Sequence, residues 1–177
     1  MAWLVIAIAC YLIGSFPSGY LVARSQGIDI REHGSKNIGA TNVLRVMGKK
    51  WGYLVFFCDS LKGFLSVKTG AWLAAYFSGD PTLGAVIGGV ACILGHNFPV
   101  WLRFKGGKGI ATSSGVVLAL FPIWLILGLA VLWVAVFLIG RFVSLASIAA
   151  AIAFPIGVFF VTPKAVQTSG FLLASLY

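Results

Sequence analysis

Acidic side chains are scarce in this sequence: four Asp and Glu stand against thirteen Lys and Arg in 177 residues. None of the four is closely paired with another, so no cluster of the kind that holds a metal ion is visible, and neither a metal nor a nucleotide cofactor is expected. Cysteine is nearly absent as well. Cys10, Cys58 and Cys92 each lie alone in apolar surroundings, without the C-x-x-C spacing of a zinc or redox site, and read as packing residues. Charge of either sign makes up only 10% of the chain, against 60% hydrophobic residues and a mean hydropathy of +1.01. A soluble domain does not carry that much oil. Residues 1–13 alone resemble the apolar part of a signal peptide, but apolar stretches recur along the whole chain, so they belong to the mature fold.

An apolar helix rises 1.5 Å per residue and needs about 20 residues to cross ~30 Å of hydrocarbon. That ruler predicts spans over residues 1–22, 51–77 and 82–94, with Ser78-Gly79-Asp80-Pro81 turning the chain between the last two. Residues 110–139 are apolar with Pro122 inside them, so they form either one kinked helix or two helices meeting at a turn. Arg141 then interrupts, residues 142–161 are apolar, Thr162-Pro163-Lys164 breaks the run, and a last apolar stretch begins near Ser169. The fold class expected is an all-α integral membrane protein, a bundle of about seven transmembrane helices with glycine-rich cytoplasmic loops.

Orientation follows from the basic residues. Arg24, Arg31, Lys36, Arg45, Lys49 and Lys50 fill the first loop, and Arg103, Lys105 and Lys108 fill the third, which the positive-inside rule assigns to the cytoplasm. Asp80 then faces outward. Dividing residues 110–139 into two helices returns Arg141 to the cytoplasm and leaves Lys164 outside, so two helices are expected, with an external N-terminus and a seventh helix heading inward.

The formal net charge of +9 is thus local to the cytoplasmic loops. It has a plain reading, a topology signal that also touches anionic lipid headgroups. It has a sharper one, an anion site, because the charges alternate with residues that topology does not require. Gly34-Ser35-Lys36-Asn37-Ile38-Gly39-Ala40-Thr41-Asn42-Val43-Leu44-Arg45 mixes glycines that admit close approach, neutral hydrogen-bonding groups and the fork of an arginine. Lys105-Gly106-Gly107-Lys108-Gly109 stands just before an apolar helix, where backbone amides, ammonium groups and a helix N-terminus converge on one anion. Lys108 is followed by Gly109 rather than Ser or Thr and no strand precedes it, so this is not a nucleotide P-loop.

Two uses are open to His96: a satisfied interfacial histidine, or a group that binds phosphate or assists proton transfer. Asp59 and Lys62 fall inside the second span at i,i+3 spacing, where a mutual ion pair lowers the cost of immersion; the pair is either functional or a device for helix packing.

Together these segments resemble the acyl-phosphate-dependent glycerol-3-phosphate acyltransferase family (PlsY). Its first signature resembles Gly34-Ser35 through Arg45, its Asp-x-x-Lys-Gly element resembles Asp59-Ser60-Leu61-Lys62-Gly63, and its second signature resembles Gly95-His96 through Thr112. Gly14-Ser15-Phe16-Pro17-Ser18-Gly19-Tyr20-Leu21 also fits. Lys36 departs from the pattern, standing where a glycine is common, and the sequence ends at Tyr177 before the family's third, His-, Arg- and Asn-rich signature.

The resemblance implies a single transmembrane acyltransferase domain over residues 1–177, lacking its C-terminal cytoplasmic tail, in the bacterial inner membrane with its active site facing the cytoplasm. It implies transfer of a fatty acyl group from acyl phosphate to the 1-hydroxyl of sn-glycerol 3-phosphate, giving lysophosphatidic acid and phosphate; membrane lipid is a partner and nucleic acid is not. Catalytic roles fall to Ser35, Arg45, His96 and Lys105, and substrate binding to Gly34, Asn37, Gly39, Thr41, Asn42, Asn97, Gly106, Gly107, Lys108 and Gly109. Arg45, Lys105 and Lys108 are expected on substrate phosphates, with the amides of Gly106, Gly107 and Gly109 completing the cradle. An acyl phosphate carries its own leaving group, so the enzyme need only hold two phosphates, screen their repulsion and align the hydroxyl. The rival reading, a transporter for a phosphate-bearing solute, expects polar breaks near the midplane and two related halves, and neither is visible.

Overall fold

A computed structural model of the chain describes residues 1–161. Eight α-helices and two short 3-10 turns account for its regular structure among the described residues: α1 Ala2–Ser15, α2 Ser18–Ser25, α3 Ala40–Met47, α4 Lys49–Tyr76, α5 Pro81–Asn97, α6 Ile110–Leu120, α7 Ile123–Gly140 and α8 Val143–Val161. Pro17, which has no amide hydrogen to donate, separates α1 from α2, so the first predicted span is one broken helical segment, Ala2–Ser25. That segment, Pro81–Leu102 and Ile123–Gly140 are each long and apolar enough to cross a membrane.

Residues 110–139 divide at Pro122 into two helices, as expected, but unequally: the 11 residues of α6 rise about 16 Å and the 18 of α7 about 27 Å. The predicted break at Thr162-Pro163-Lys164 and the last apolar run fall outside the described residues. The first basic loop departs from expectation. Its second half is not loop: Thr41, Asn42 and Arg45 stand on α3, an amphipathic helix too short to show a clear period in sequence, whose Val43 is buried.

The chain forms two compact units, one spanning Met1–Leu120 and one beginning at Phe121. In the first, α4 packs against α5 and α6, and α5 also packs against α1. Glycines bring these backbones close: a Cβ on Gly63 of α4 would overlap the Thr112 carbonyl of α6, and one on Gly70 would overlap that of Gly84 in α5. The polarity of α4 is inverted relative to a water-soluble helix. Phe57, Leu61, Leu65 and Trp72 face outward, while Asp59, Lys62 and Ser66 are buried. This is the arrangement of an integral membrane protein, with apolar side chains toward lipid and polar ones toward neighbouring helices. In the second unit α7 packs on α8, with Phe121 edge-to-face on Phe154 at 5.0 Å between ring centres.

Candidate functional site

The segment joining α2 to α3 is ordered by one side chain. Asn42, 2% exposed, donates from Nδ2 to the carbonyls of Ile30, His33 and Asn37 at 3.3, 3.0 and 2.8 Å, and its Oδ1 accepts from the Ser35 amide at 2.8 Å. Ile30, Ile38 and Val43 anchor the same segment in an apolar cluster with Val55 and Leu102. Asn42 therefore holds the loop, and its hydrogen-bonding capacity is taken up within the chain rather than left for a ligand. Asn37 is also structural in part: its Oδ1 accepts from the Gly39 amide at 2.8 Å, and its Nδ2 reaches the Gly106 carbonyl at 3.5 Å, tying the two basic loops together.

The second loop corrects a sequence-based expectation. The Gly106 and Gly107 amides donate to the carbonyls of Asn97 and His96, each at 3.1 Å, so they close the C-terminus of α5 and do not form a phosphate cradle. Their lack of side chains has a steric cause. A Cβ on Gly106 would overlap the His96 carbonyl, and one on Gly107 would overlap Nε2 of the His96 ring. Gly109 differs: its φ of +75° is in the left-handed region that favours glycine, and its amide has no acceptor among the described residues.

These supports leave a cavity of about 320 Å³ lined by Ser35, Asn37, Gly39, Thr41, Asn42, Arg45, Asp59, His96, Lys108 and Gly109, together with Phe56 and the first residues of α6. Two helices begin on its wall, α3 after Gly39 and α6 after Gly109. The first-turn amides of a helix have no partner within the helix and carry its positive dipole end, so two such ends face one space. Arg45 and Lys108 are exposed and make no ion pair among the described residues. Two cations and two helix N-termini give this cavity a positive field of the kind that suits a phosphate-like anion.

Its inner wall is buried. Asp59, 1% exposed, accepts through Oδ1 from Ser18 Oγ at 2.5 Å and forms an ion pair with Lys62 Nζ at 2.9 Å, and the same oxygen lies 3.6 Å from His96 Nδ1. Lys62 in turn donates to the Phe16 carbonyl at 2.8 Å, one residue before Pro17 breaks the first span. The expected i,i+3 pair is present, and it serves two purposes: it neutralises a buried carboxylate and supplies a donor near the helix break.

Not every predicted site residue reaches this cavity. Lys105 and Gly106 line a second cleft of about 370 Å³ with Asp29, Arg31, Glu32, Lys36 and Ile38. There the Arg31 guanidinium, bonded to Asp29 at 2.6 Å and 2.9 Å, holds the Asp29 carboxyl down at about 2. Gly34, Asn97 and Gly107 line neither space. Asn97 Oδ1 is buried without a partner, and a Cβ added to Gly109 would stand 2.9 Å from it. Sequence reasoning did not join Ser18 or Asp59 to His96. The available signal was the immersion of one of only four carboxylates in an apolar helix.

Residues 4–177 match the family described as glycerol-3-phosphate acyltransferase. A glycerol-3-phosphate acyltransferase of Wolbachia pipientis subsp. Culex pipiens (strain wPip) is 46% identical over 156 residues, which is 88% of this chain and 79% of that protein. One from Aquifex aeolicus (strain VF5) is 46% identical over 153 residues, 86% of this chain and 77% of that protein. The fold is similar to the crystal structure of PlsY, an integral membrane glycerol 3-phosphate acyltransferase, in its glycerol 3-phosphate form, with a TM-score of 0.72 and 38% identity over 99% of this chain and 86% of that one. The lysophosphatidic acid form matches with the same TM-score and 37% identity.

Proposed function

We propose, for a chain that belongs to the glycerol-3-phosphate acyltransferase family, that the cavity between α3, α5 and α6 is where acyl phosphate and sn-glycerol 3-phosphate react. The chain is a membrane acyltransferase that makes lysophosphatidic acid. The observation that carries the assignment of the site is the convergence on one space of two helix N-termini with Arg45 and Lys108, which have no ion-pair partner among the described residues. Each substrate brings a phosphate, and two phosphates repel unless cations and amides lie around them.

In the reaction, the 1-hydroxyl oxygen of glycerol 3-phosphate attacks the acyl carbonyl carbon, the bond from that carbon to the phosphate oxygen breaks, and the hydroxyl proton ends on the released phosphate. Arg45 grips a phosphate with its planar fork, and Lys108 acts as a point charge beside the Gly109 amide. Ser35, Thr41 and the Asn37 amide supply neutral hydrogen bonds at the rim. His96 meets the reacting groups from the cavity's inner wall. Lys105, in the neighbouring cleft, draws anions toward the site through its field rather than by contact. The acyl chain lies between helices on the lipid side, and residues 1–177 act as one transmembrane domain. The basic residues of both loops support a cytoplasmic site in the bacterial inner membrane, with the N-terminus outside.

The test is phosphate release by purified protein in lipid, supplied with acyl phosphate with and without glycerol 3-phosphate, alongside detection of lysophosphatidic acid. Release that depends on the acceptor and matches product in amount is expected. Hydrolysis indifferent to the acceptor overturns the reading.

A further inference from the structure

The buried group at the cavity's inner wall has more ordering than charge neutrality needs. Asp59 Oδ1 accepts a hydrogen bond from Ser18 and forms an ion pair with Lys62 Nζ at 2.9 Å, and it lies 3.6 Å from His96 Nδ1. His96 is 4% exposed, and its buried Nδ1 has no hydrogen-bond partner among the described residues, with the Asp59 carboxylate its charged neighbour. The opposite ring nitrogen, Nε2, lies where a Cβ on residue 107 would be, so only glycine at that position leaves room for the ring. A carboxylate facing one imidazole nitrogen keeps the proton there and leaves the other nitrogen's lone pair open.

We propose that Asp59 is a positioning residue for His96: it fixes the ring with its proton on Nδ1 and, with Gly107 beside Nε2, sets how the ring meets the cavity. The inference rests on the reading above that His96 meets the reacting groups. Ser18 and Lys62 hold the carboxylate in place. Their segments, α2 and α4, together with α5, set the ring's direction before any substrate arrives, so no reorganisation accompanies the reaction. The short spacing of Asp59 and Lys62 on α4 is then a consequence of the site's needs as well as the membrane's.

The experiment compares two variants in lipid nanodiscs. Asp59→Asn removes the charge but keeps the shape; Asp59→Leu/Lys62→Met removes both charges together, which avoids burying an uncompensated one. Ring ¹⁵N spectra at a pH where His96 is neutral report its tautomer. His33, the second of the two histidines, is removed from the spectra by His33→Gln in every protein compared. We expect the wild type to carry the proton on Nδ1 and the double variant, folded, to carry it on Nε2. Its kcat should fall about tenfold to a hundredfold, with KM for glycerol 3-phosphate changed less than about threefold, because positioning acts on chemistry more than on binding. Asp59→Asn should show the same pattern more weakly. A double variant that turns over like the wild type, or keeps its proton on Nδ1, overturns the proposal. Should the wild type form no lysophosphatidic acid, the functional reading falls by itself, while the tautomer comparison still decides what Asp59 does to the ring.

Discussion

Two carboxylate–cation pairs lie in the first unit of this protein, and the shorter one matters less. Asp29 and Arg31 meet at 2.6 Å with side chains 15% and 43% exposed, whereas Asp59 and Lys62 meet at 2.9 Å with 2% and 7% exposed. Water screens the first pair and competes for its hydrogen bonds. The second is almost fully enclosed, with Asp59 on the inner wall of the cavity. Between these extremes stand Arg45 and Lys108, cations at the cavity with no ion-pair partner among the described residues. Burial, rather than distance, sets what each charge does: the buried pair organises helices, the unpaired cations wait for an anion, and the exposed pair trims a surface loop.

Breaking the buried pair from one side should have the largest effect. Lys62→Met leaves Asp59 charged with only Ser18 and His96 for company and removes the donor from the Phe16 carbonyl. Destabilisation of about 3–5 kcal/mol is expected, read as a lower midpoint of thermal unfolding in lipid. The double variant Asp59→Leu/Lys62→Met should recover most of that loss. A single variant as stable as the wild type would show that water reaches the pair and that the contrast with Asp29 is false.

The unpaired cations come next. Arg45→Ala should lower kcat/KM for glycerol 3-phosphate roughly a hundredfold, equivalent to about 2.7 kcal/mol of transition-state stabilisation. Lys108→Ala should cost about tenfold, since a point charge is more easily replaced by its neighbours than a bidentate fork. Neither should change unfolding by more than about 0.5 kcal/mol, as expected of exposed side chains with no ion-pair partner among the described residues. Kinetics unaltered in both variants would move the phosphates elsewhere.

Much of this division was legible in sequence. The i,i+3 spacing of Asp59 and Lys62 inside an apolar run anticipated their ion pair, and Pro122 anticipated the break between α6 and α7. Arg45 and Lys108 stood out because their neighbours exceed what topology requires. Three features stayed hidden for physical reasons. The eight residues of α3 are too few to show a period, and that helix follows the Asn42 hub and the burial of Val43. The Gly106 and Gly107 amides turn back onto α5, a matter of three-dimensional closure that a glycine-rich string does not reveal. The approach of His96 to Asp59 joins helices distant in sequence. Lys36 has a φ of +60°, the left-handed region in which glycine is unstrained, so the glycine that the resemblance expects at this position would fit the backbone with less strain.

A smaller effect on the same inner wall comes from the second loop. Gly107→Ala would drive a methyl group into the His96 ring, so the ring or the 105–109 segment must shift. The expected cost is about 1–3 kcal/mol of stability, accompanied by a fall in kcat as Nε2 leaves its direction. If stability drops while kcat per folded molecule holds, His96 has no part in the chemistry and the buried group serves packing alone.

The exposed pair should yield the smallest effect, and its sign with pH is fixed. The Arg31 guanidinium lowers the Asp29 carboxyl from an unfolded-state value of 3.8 to about 2. A carboxyl depressed on folding contributes stability that is fully present above its unfolded value and is lost as pH falls through the folded one. From pH 8 down to pH 5, therefore, the contribution of Asp29 should not vary. Asp29→Asn should leave turnover at neutral pH unchanged within about twofold and lower the unfolding midpoint only slightly, because water screens a surface pair. That small gap should narrow below about pH 4 and close near pH 2. It should also shrink in high salt, where screening reaches an exposed pair but not one enclosed by helices. A gap that widens on acidification, or one insensitive to salt, would place Asp29 with Asp59 among the charges that hold the fold, and the contrast between the two pairs would then rest on something other than water.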